Sequence, residues 1–342
     1  MYDTIEVNNA SVVKLMKVVR REQNTSYEGM LESPFEPTEI YRVIQAGGRK
    51  KAPENDGLGR EIYSHNWAIL KDDLFEVINQ VFWTGNISQQ QKRGEVVFLP
   101  KAHGNQTPED YRHITLLNSD YNILARIIAQ RLRPVLADHL TEAQFCEVPG
   151  NTIIDAGATV RDTIAYAENG RIPLCVLSLD FKNAFDRITH NYLFQTLQGY
   201  GIGNAFIAGI KRMYEGPTSS VQINGHQYGP IPIRYAVRQG CPMSMAIYAL
   251  CLHPFLHLLD LNLPGIRIGR RTRPTSVVAY ADDVIIFVTS AADFAIIEDA
   301  IRLYERAPRA RLNTRESKAL AVGSWLYRRT SWGSNIILMR PH

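Results

Sequence analysis

Tyr280-Ala281-Asp282-Asp283 constrains this chain more than any other stretch. Two adjacent carboxylates stand between the apolar runs Ser276–Ala279 and Val284–Val288. Short β-branched runs on both sides of a polar pair predict strand, tight turn, strand, with the carboxylates raised to the tip of a hairpin. Carboxylate oxygens held there suit hard divalent cations, chiefly Mg²⁺. An acidic hairpin turn without chemistry would look the same in isolation. Asp72-Asp73 supplies the contrast. Its surroundings, Trp67–Ile78, carry apolar residues at helical spacing, which predicts a solvated helix face.

A second carboxylate segment lies about a hundred residues upstream. Val176-Leu177-Ser178-Leu179 reads as a buried strand running into Asp180, followed by Phe181-Lys182-Asn183-Ala184-Phe185-Asp186. Phosphoryl transfer by two metals needs carboxylates from separate segments to converge around ions roughly 3.5–4 Å apart. Asp180, Asp282 and Asp283 meet that need if their strands are neighbours in one sheet. A strand-end or helix N-cap aspartate is the bland alternative for Asp180. For Asp186 the cap reading is preferred, because Thr189, Tyr192, Leu193 and Leu197 predict a helix close by.

Further signals follow in order. Thr218–Tyr228 predicts a hairpin around Asn224-Gly225. It leads to the loop Ala236-Val237-Arg238-Gln239-Gly240-Cys241-Pro242-Met243-Ser244, then an apolar helix over about 246–261. Gly and Pro make that loop close-fitting, with the flat amide of Gln239 at its tip. A helix over about 292–305 precedes Leu312–Lys318, where Lys318 is either a charge donor beside a leaving pyrophosphate or an ordinary solvated lysine.

The segments Asp180–Asp186, Arg238–Ser244, Tyr280–Asp283 and Leu312–Lys318 resemble the successive palm motifs of reverse transcriptases. Upstream, Val97–Lys101, Tyr111–Asn118 and Ile123–Ile127 resemble the finger region of non-LTR (LINE-like) retrotransposon polymerases, as do Lys51–Gly57 and Val148–Asp155. The resemblance is collinear over about residues 35–325. Glu54, His113, Asn151 and Met245 depart from it, standing where the family usually has Gly, Pro, Arg and Pro.

The resemblance implies an α/β right-hand polymerase fold, with an antiparallel palm sheet backed by helices and a mixed, largely helical fingers subdomain. It divides the chain into a tail over 1–35, fingers over 36–175 with a hairpin around Val96–Ile114, palm over 176–325, and a short tail over 326–342 with no thumb. It implies RNA-directed DNA synthesis: a primer 3′-hydroxyl attacks the α-phosphate of a dNTP and pyrophosphate leaves. Two Mg²⁺ ions, with Mn²⁺ as an alternative, would be held by Asp180 and Asp282, with Asp283 in support. Phe185 matches the steric-gate position that excludes a ribose 2′-hydroxyl, or it is a core ring. Lys101 and Arg112 match basic positions that grip the triphosphate. Gln239 would touch the nascent pair or the template, and Tyr280 belongs to the same substrate-binding set. The implied partners are an RNA template, a DNA primer and dNTPs, with no membrane and no defined oligomeric state.

Composition adds less. Lys and Arg exceed Asp and Glu by four, a mild basic excess. Arg267, Arg270, Arg271 and Arg273, with Arg126, Arg131 and Arg133, would contact phosphates if they line a groove, and would otherwise be a solvated face. Cys146, Cys175, Cys241 and Cys251 have no paired metal spacing, which with the absence of a signal peptide predicts reduced thiols and an intracellular protein, nuclear or cytoplasmic. No apolar stretch long enough to span a bilayer is evident, and a short helix is expected near Ser11–Arg20. The 24 residues after Lys318 are too few for a helical thumb, so the chain is expected to extend primers weakly and with steep salt dependence. An inactive remnant and a non-catalytic nucleic-acid-binding scaffold of the same fold remain the alternatives.

Overall fold

The computed structural model describes residues 8–20, 27–46, 56–85, 87–100, 111–140, 143–223, 226–233, 236–269, 273–327 and 337–339. In chain order the helices begin with α1 (Asn9–Arg20), α2 (Glu28–Leu31), α3 (Pro37–Ala46), α4 (Arg60–His65), α5 (Trp67–Thr84) and α6 (Gln89–Lys92). Strands β1 (Arg93–Pro100) and β2 (Tyr111–Leu117) precede α7 (Ser119–His139) and α8 (Ile153–Asn169). Then come β3 (Leu174–Leu179), α9 (His190–Gly199), α10 (Asn204–Tyr214), β4 (Thr218–Ile223), β5 (His226–Pro232) and α11 (Ser244–Asn262). The chain closes with β6 (Val277–Tyr280), β7 (Asp283–Val288), α12 (Ala291–Arg306), β8 (Lys318–Val322) and β9 (Ile337–Met339).

These elements form two compact units, and neither is continuous in sequence. One is built from residues 1–24, 133–200 and 248–342, the other from 25–132 and 201–247. The boundary at 175/176 that the resemblance implied between fingers and palm falls within a segment of the first unit. Periodicity reports elements, whereas the grouping depends on which distant segments share a core. The expected tail over 1–35 is likewise partly core: Val12, Leu15, Met16 and Val19 of α1 are buried, and the α1 backbone is tied to the end of α12 by Asn8 N–H donating to Arg306 O.

The first unit holds a five-stranded sheet in the order β6-β7-β3-β8-β9. All its pairings are antiparallel except β8–β9, which is parallel, so the implied antiparallel sheet holds for four strands and fails at the fifth. The central strand β3 buries Leu174, Cys175, Val176, Leu177 and Leu179 on its two faces, as a strand covered on both sides must. Helix α8 lies against one face, where Ala156 and Ala167 pack with Leu174, Val176, Val278, Phe287 and Val322. It starts from a capping box in which Thr152 and Asp155 exchange side-chain and backbone hydrogen bonds. Tyr192, Phe255 and Tyr304 belong to the same unit's core, with Phe181 edge-on to both Phe255 and Tyr304.

The second unit holds a four-stranded sheet, β2-β1-β4-β5, with β1–β2 and β4–β5 antiparallel and β1–β4 parallel. Both hairpins expected from the sequence are present, although their connections at 101–110 and 224–225 lie outside the described residues. Helix α5 buries Leu74, Ile78, Val81 and Phe82 along one stripe and leaves Asp72 and Asp73 exposed, as its spacing predicts. It packs on α10 at Gly209, where an added Cβ would stand 2.4 Å from the Phe82 ring.

Two expectations are corrected here. Arg131 is not free for phosphate: it is 8% exposed, and its guanidinium donates to both Glu39 carboxylate oxygens and to the carbonyls of Leu31, Ser33 and Pro34, over the Phe35 ring. One helix, α11, is long and apolar enough to cross a membrane, although no such stretch was anticipated; most of it is buried inside the protein, which is what a core helix requires. Arg270 and Arg271 lie outside the described residues, and Arg273 pairs with Asp260.

Candidate active site

Asp180 immediately follows β3 and Asp283 opens β7. These strands are antiparallel neighbours whose last ladder pair is Leu179–Val284, so Asp180 and Asp283 face each other one step further on. Directly opposed residues share a face of the sheet. Burial comes first, and then the charge of Asp180; together they raise the Asp283 carboxyl above its ordinary range. Asp282 sits in the intervening two-residue turn with Ala281, and its charge acts on Tyr248 of α11 and on Cys146. Asp283, rather than Asp282, is therefore the cross-strand neighbour of Asp180.

The backbone around Asp180 is fixed from the opposite side. Its N–H donates to the Ser317 hydroxyl at 3.0 Å and its carbonyl accepts from Asn313 N–H at 2.7 Å. Phe181 forms a bridge with Leu312, and Lys182 N–H donates to Arg311 O. The segment before β8 thus braces the strand end that carries Asp180. Ser317 is fully buried, and a serine in a polar run carries no sequence signal of what its hydroxyl meets. Lys318 opens β8 opposite Ser178, two residues before Asp180, and is exposed. Asp186 is not a helix cap: it lies in a 3₁₀ turn, Ala184–Arg187, and the cap of α9 is Thr189, whose hydroxyl accepts from Tyr192 N–H.

Phe185 stacks on Tyr248 with ring centroids 4.5 Å apart and planes 26° from parallel. It is half-buried, whereas Tyr248 is buried. Tyr280 ends β6 opposite Asp283. The neighbouring Cys146 thiol, more than burial, raises its phenol above the ordinary range. Tyr280 and Asp283 also line a mostly apolar cavity of about 560 Å³ with Val160, Ile164, Val278 and Ile285.

Two non-glycine residues near these carboxylates are left-handed, Asn183 at φ 47° and Ala281 at φ 56°. Such conformations cost of order 1–3 kcal/mol and persist where surrounding contacts over-determine them, often at functional sites.

Gln239 and Arg112 belong to the second unit. The Gln239 carbonyl accepts from Thr115 N–H of β2 at 2.8 Å, and Gly240, at φ 101°, leaves no room for a Cβ against the Thr115 carbonyl. This fixes the Gln239 loop along the strand that carries Arg112, whose side chain is exposed. Behind the loop, Arg238 is buried, donates to Lys92 O and lies over the Tyr121 ring. Lys101 lies outside the described residues.

Among the described residues, no three His, Cys, Asp or Glu side chains form a metal-holding cluster. The Asp180–Asp283 pair nonetheless suits a hard cation. Two opposed carboxylates resist joint ionisation, and Mg²⁺ is commonly held by one or two carboxylates with water and phosphate oxygens completing its shell.

A strand-end carboxylate facing a hairpin carboxylate across an antiparallel ladder has the oxygen ligands that metal-assisted phosphoryl transfer uses. The family model described as "Reverse transcriptase (RNA-dependent DNA polymerase)" matches residues 99–324, and the chain belongs to that family. It is 34% identical over 314 residues, 90% of its length, to the Transposon TX1 uncharacterized 149 kDa protein of Xenopus laevis, of which it covers 24%. It is 25% identical over 227 residues, 66% of its length, to the Retrovirus-related Pol polyprotein from type-2 retrotransposable element R2DM of Drosophila melanogaster, of which it covers 21%. A third relative, the Probable RNA-directed DNA polymerase from transposon X-element of the same fly, is 27% identical over 308 residues, 87% of this chain and 32% of the relative. These relatives place the chain among reverse transcriptase domains of non-LTR retrotransposons, and it spans a third of their length or less.

Proposed function

We propose that this chain catalyses RNA-templated DNA synthesis, joining dNTPs to a primer 3′-hydroxyl with release of pyrophosphate. The observation that carries the reading is the opposition of Asp180 and Asp283 across β3 and β7, with Asp282 in the adjoining turn, inside a reverse transcriptase sequence. Asp180 and Asp283, with Asp282 beside them, would hold divalent cations, Mg²⁺ or Mn²⁺ and two in number by family resemblance. A cation held by these residues would supply charge that lowers the pKa of an attacking hydroxyl and offsets charge developing on the phosphate.

The chain's own residues supply position and selection. Ser317 and Asn313 hold the Asp180 backbone, so its carboxylate projects from a fixed strand end. The Phe185 ring, braced by Tyr248, would block a 2′-hydroxyl. Lys318 would place a cation beside the departing pyrophosphate. By family resemblance alone, Arg112 and Lys101 would grip the triphosphate and Gln239 would touch the nascent pair or template. The partners are then an RNA template, a DNA primer and dNTPs. Four free, buried cysteines accord with a reducing, intracellular setting.

The test is primer extension by the purified chain on a homopolymer RNA template with Mg²⁺, beside Asp180→Asn and Asp282→Asn. Template-dependent extension lost in both variants supports the reading. Extension that survives either substitution at the wild-type rate overturns the assignment.

A further inference from the structure

The turn that carries Asp282 is held by the side chain of Gln144. Ala281 adopts φ 56° without the freedom of a glycine, and left-handed backbone costs an L-residue about 1–2 kcal/mol. Both backbone polar groups of Ala281 end on one side chain. Gln144 Oε1 accepts from Ala281 N–H at 3.3 Å, and Gln144 Nε2 donates to the Ala281 carbonyl at 3.4 Å. Oε1 also accepts from Cys146 N–H at 3.0 Å.

The Gln144 backbone is fixed as well. Ala279 N–H donates to Ala143 O at 2.6 Å, and Phe145 N–H donates to Ala279 O at 2.9 Å, so the segment around Gln144 runs beside β6 as a short parallel bridge. Gln144 is fully buried, 137 residues from the turn in sequence. Burying an amide is costly unless it is hydrogen-bonded. Here it answers a residue whose N–H and C=O are turned away from the β6–β7 ladder. Only a side chain with donor and acceptor at one end can satisfy both.

We propose that Gln144 is a positioning residue for DNA synthesis: its amide locks Ala281 in the left-handed turn and thereby sets the spacing of Asp282 and Asp283 before substrate arrives. The proposal rests on those aspartates being the reacting carboxylates. A residue that merely fills the core would protect the whole unit equally and would have no particular relation to Ala281.

The first test needs no substitution. In the wild-type chain, hydrogen exchange at the Ala281 amide should be as slow as at the β7 ladder amides; exchange at the rate of an open turn overturns the lock. The second test is single-nucleotide incorporation by Gln144→Met, which keeps length and volume but loses all three hydrogen bonds. Misplacing reacting groups by about 1 Å can cost on the order of a hundredfold. We expect kcat to fall at least about tenfold with KM for dNTP little changed, and the Ala281 amide to lose protection while β3 amides keep theirs. Adding Ala281→Gly removes the left-handed penalty and should recover part of kcat. Wild-type kcat in folded Gln144→Met, or no recovery in the double variant, overturns the proposal. Asp282→Asn is run in parallel. An active Asp282→Asn enzyme refutes the carboxylate assignment, whereas an inactive one beside a fully active Gln144→Met enzyme refutes only the role of Gln144.

Discussion

Asp180 and Asp283 face each other one step beyond the Leu179–Val284 pair, and that register brings two segments a hundred residues apart to one point. The cross-strand neighbour of Asp180 belongs to β7 because β3 lies at the centre of its sheet, with β7 on one side and β8 on the other. The same centrality lets the Asn313–Ser317 segment hold the Asp180 backbone from the far side.

Asp180→Asn, Asp282→Asn and Asp283→Asn should each lower nucleotide incorporation by at least about a hundredfold, since each would weaken the proposed cation site. Melting temperatures should match wild type in Asp282→Asn and match or exceed it in Asp180→Asn and Asp283→Asn, where removing one of two opposed carboxylates relieves repulsion. Asp72→Asn and Asp73→Asn, on the exposed stripe of α5, should leave both quantities unchanged. Single-turnover kinetics and thermal melts on the five variants check this.

Phe185→Ala should relax the preference for dNTPs over rNTPs by removing the ring that would meet a 2′-hydroxyl. Tyr248→Leu should do the same to a smaller degree, because Phe185 loses the ring it stacks on. Stacked pairs contribute about 0.5–1.5 kcal/mol, so a several-fold loss of discrimination is expected. Competition between dNTP and rNTP at one template position measures it. Unchanged discrimination in Phe185→Ala would place the gate elsewhere.

Gly240→Ala should destabilise the second unit by more than about 1 kcal/mol and lower template-dependent extension. The residue has φ 101°, and a Cβ would stand 2.4 Å from the Thr115 carbonyl oxygen, so the Gln239 loop has to leave β2. Urea denaturation and extension assays on this variant read the two effects.

Arg131→Met should cost roughly 3 kcal/mol of stability, because it strands the partly buried Glu39 carboxylate and three carbonyls. The salt dependence of template binding should not change, since this guanidinium is spent inside the protein. A reduced salt slope on a filter-binding or anisotropy assay would show that Arg131 does reach phosphate after all.

His253 gives the first unit a definite acid response. It is buried, accepts or donates at 2.7 Å with the Tyr200 hydroxyl, and stacks on His257, while the His139 ring also contacts Tyr200. Burial first, then His257 and His139, push it down to about 3. The unfolded chain binds a proton here below pH about 6.5 while the folded chain does not, so this contribution to stability is fully present above that pH. It is lost as pH falls from about 6.5 toward 3, at up to about 1.4 kcal/mol per pH unit. Urea midpoints at pH 7 and pH 5 should separate in wild type and draw together in His253→Gln.

Much of the molecule was legible because its elements are local. The apolar spacing of α5 exposed Asp72 and Asp73, the β-branched runs around Asp282 gave β6 and β7, and Leu177 and Leu179 marked a strand ending at Asp180. Side-chain period follows from backbone geometry, which a window of ten residues contains. The collinear motifs also identified the family, since order along a chain survives without coordinates.

Which residues meet was set by the packing of segments far apart in the chain. The sequence by itself determined three carboxylates and two strands; the ladder register decided that Asp283, and not Asp282, opposes Asp180. It determined an arginine-rich stretch after the finger motifs, yet the packing of α7 turned Arg131 inward to Glu39. It gave no sign of Gln144 or Ser317, whose neutral side chains have no periodic pattern and act on backbone 137 residues away. Hydrogen bonds between a buried amide or hydroxyl and a distant main chain depend on the closed core, because only exclusion of water makes those partners necessary.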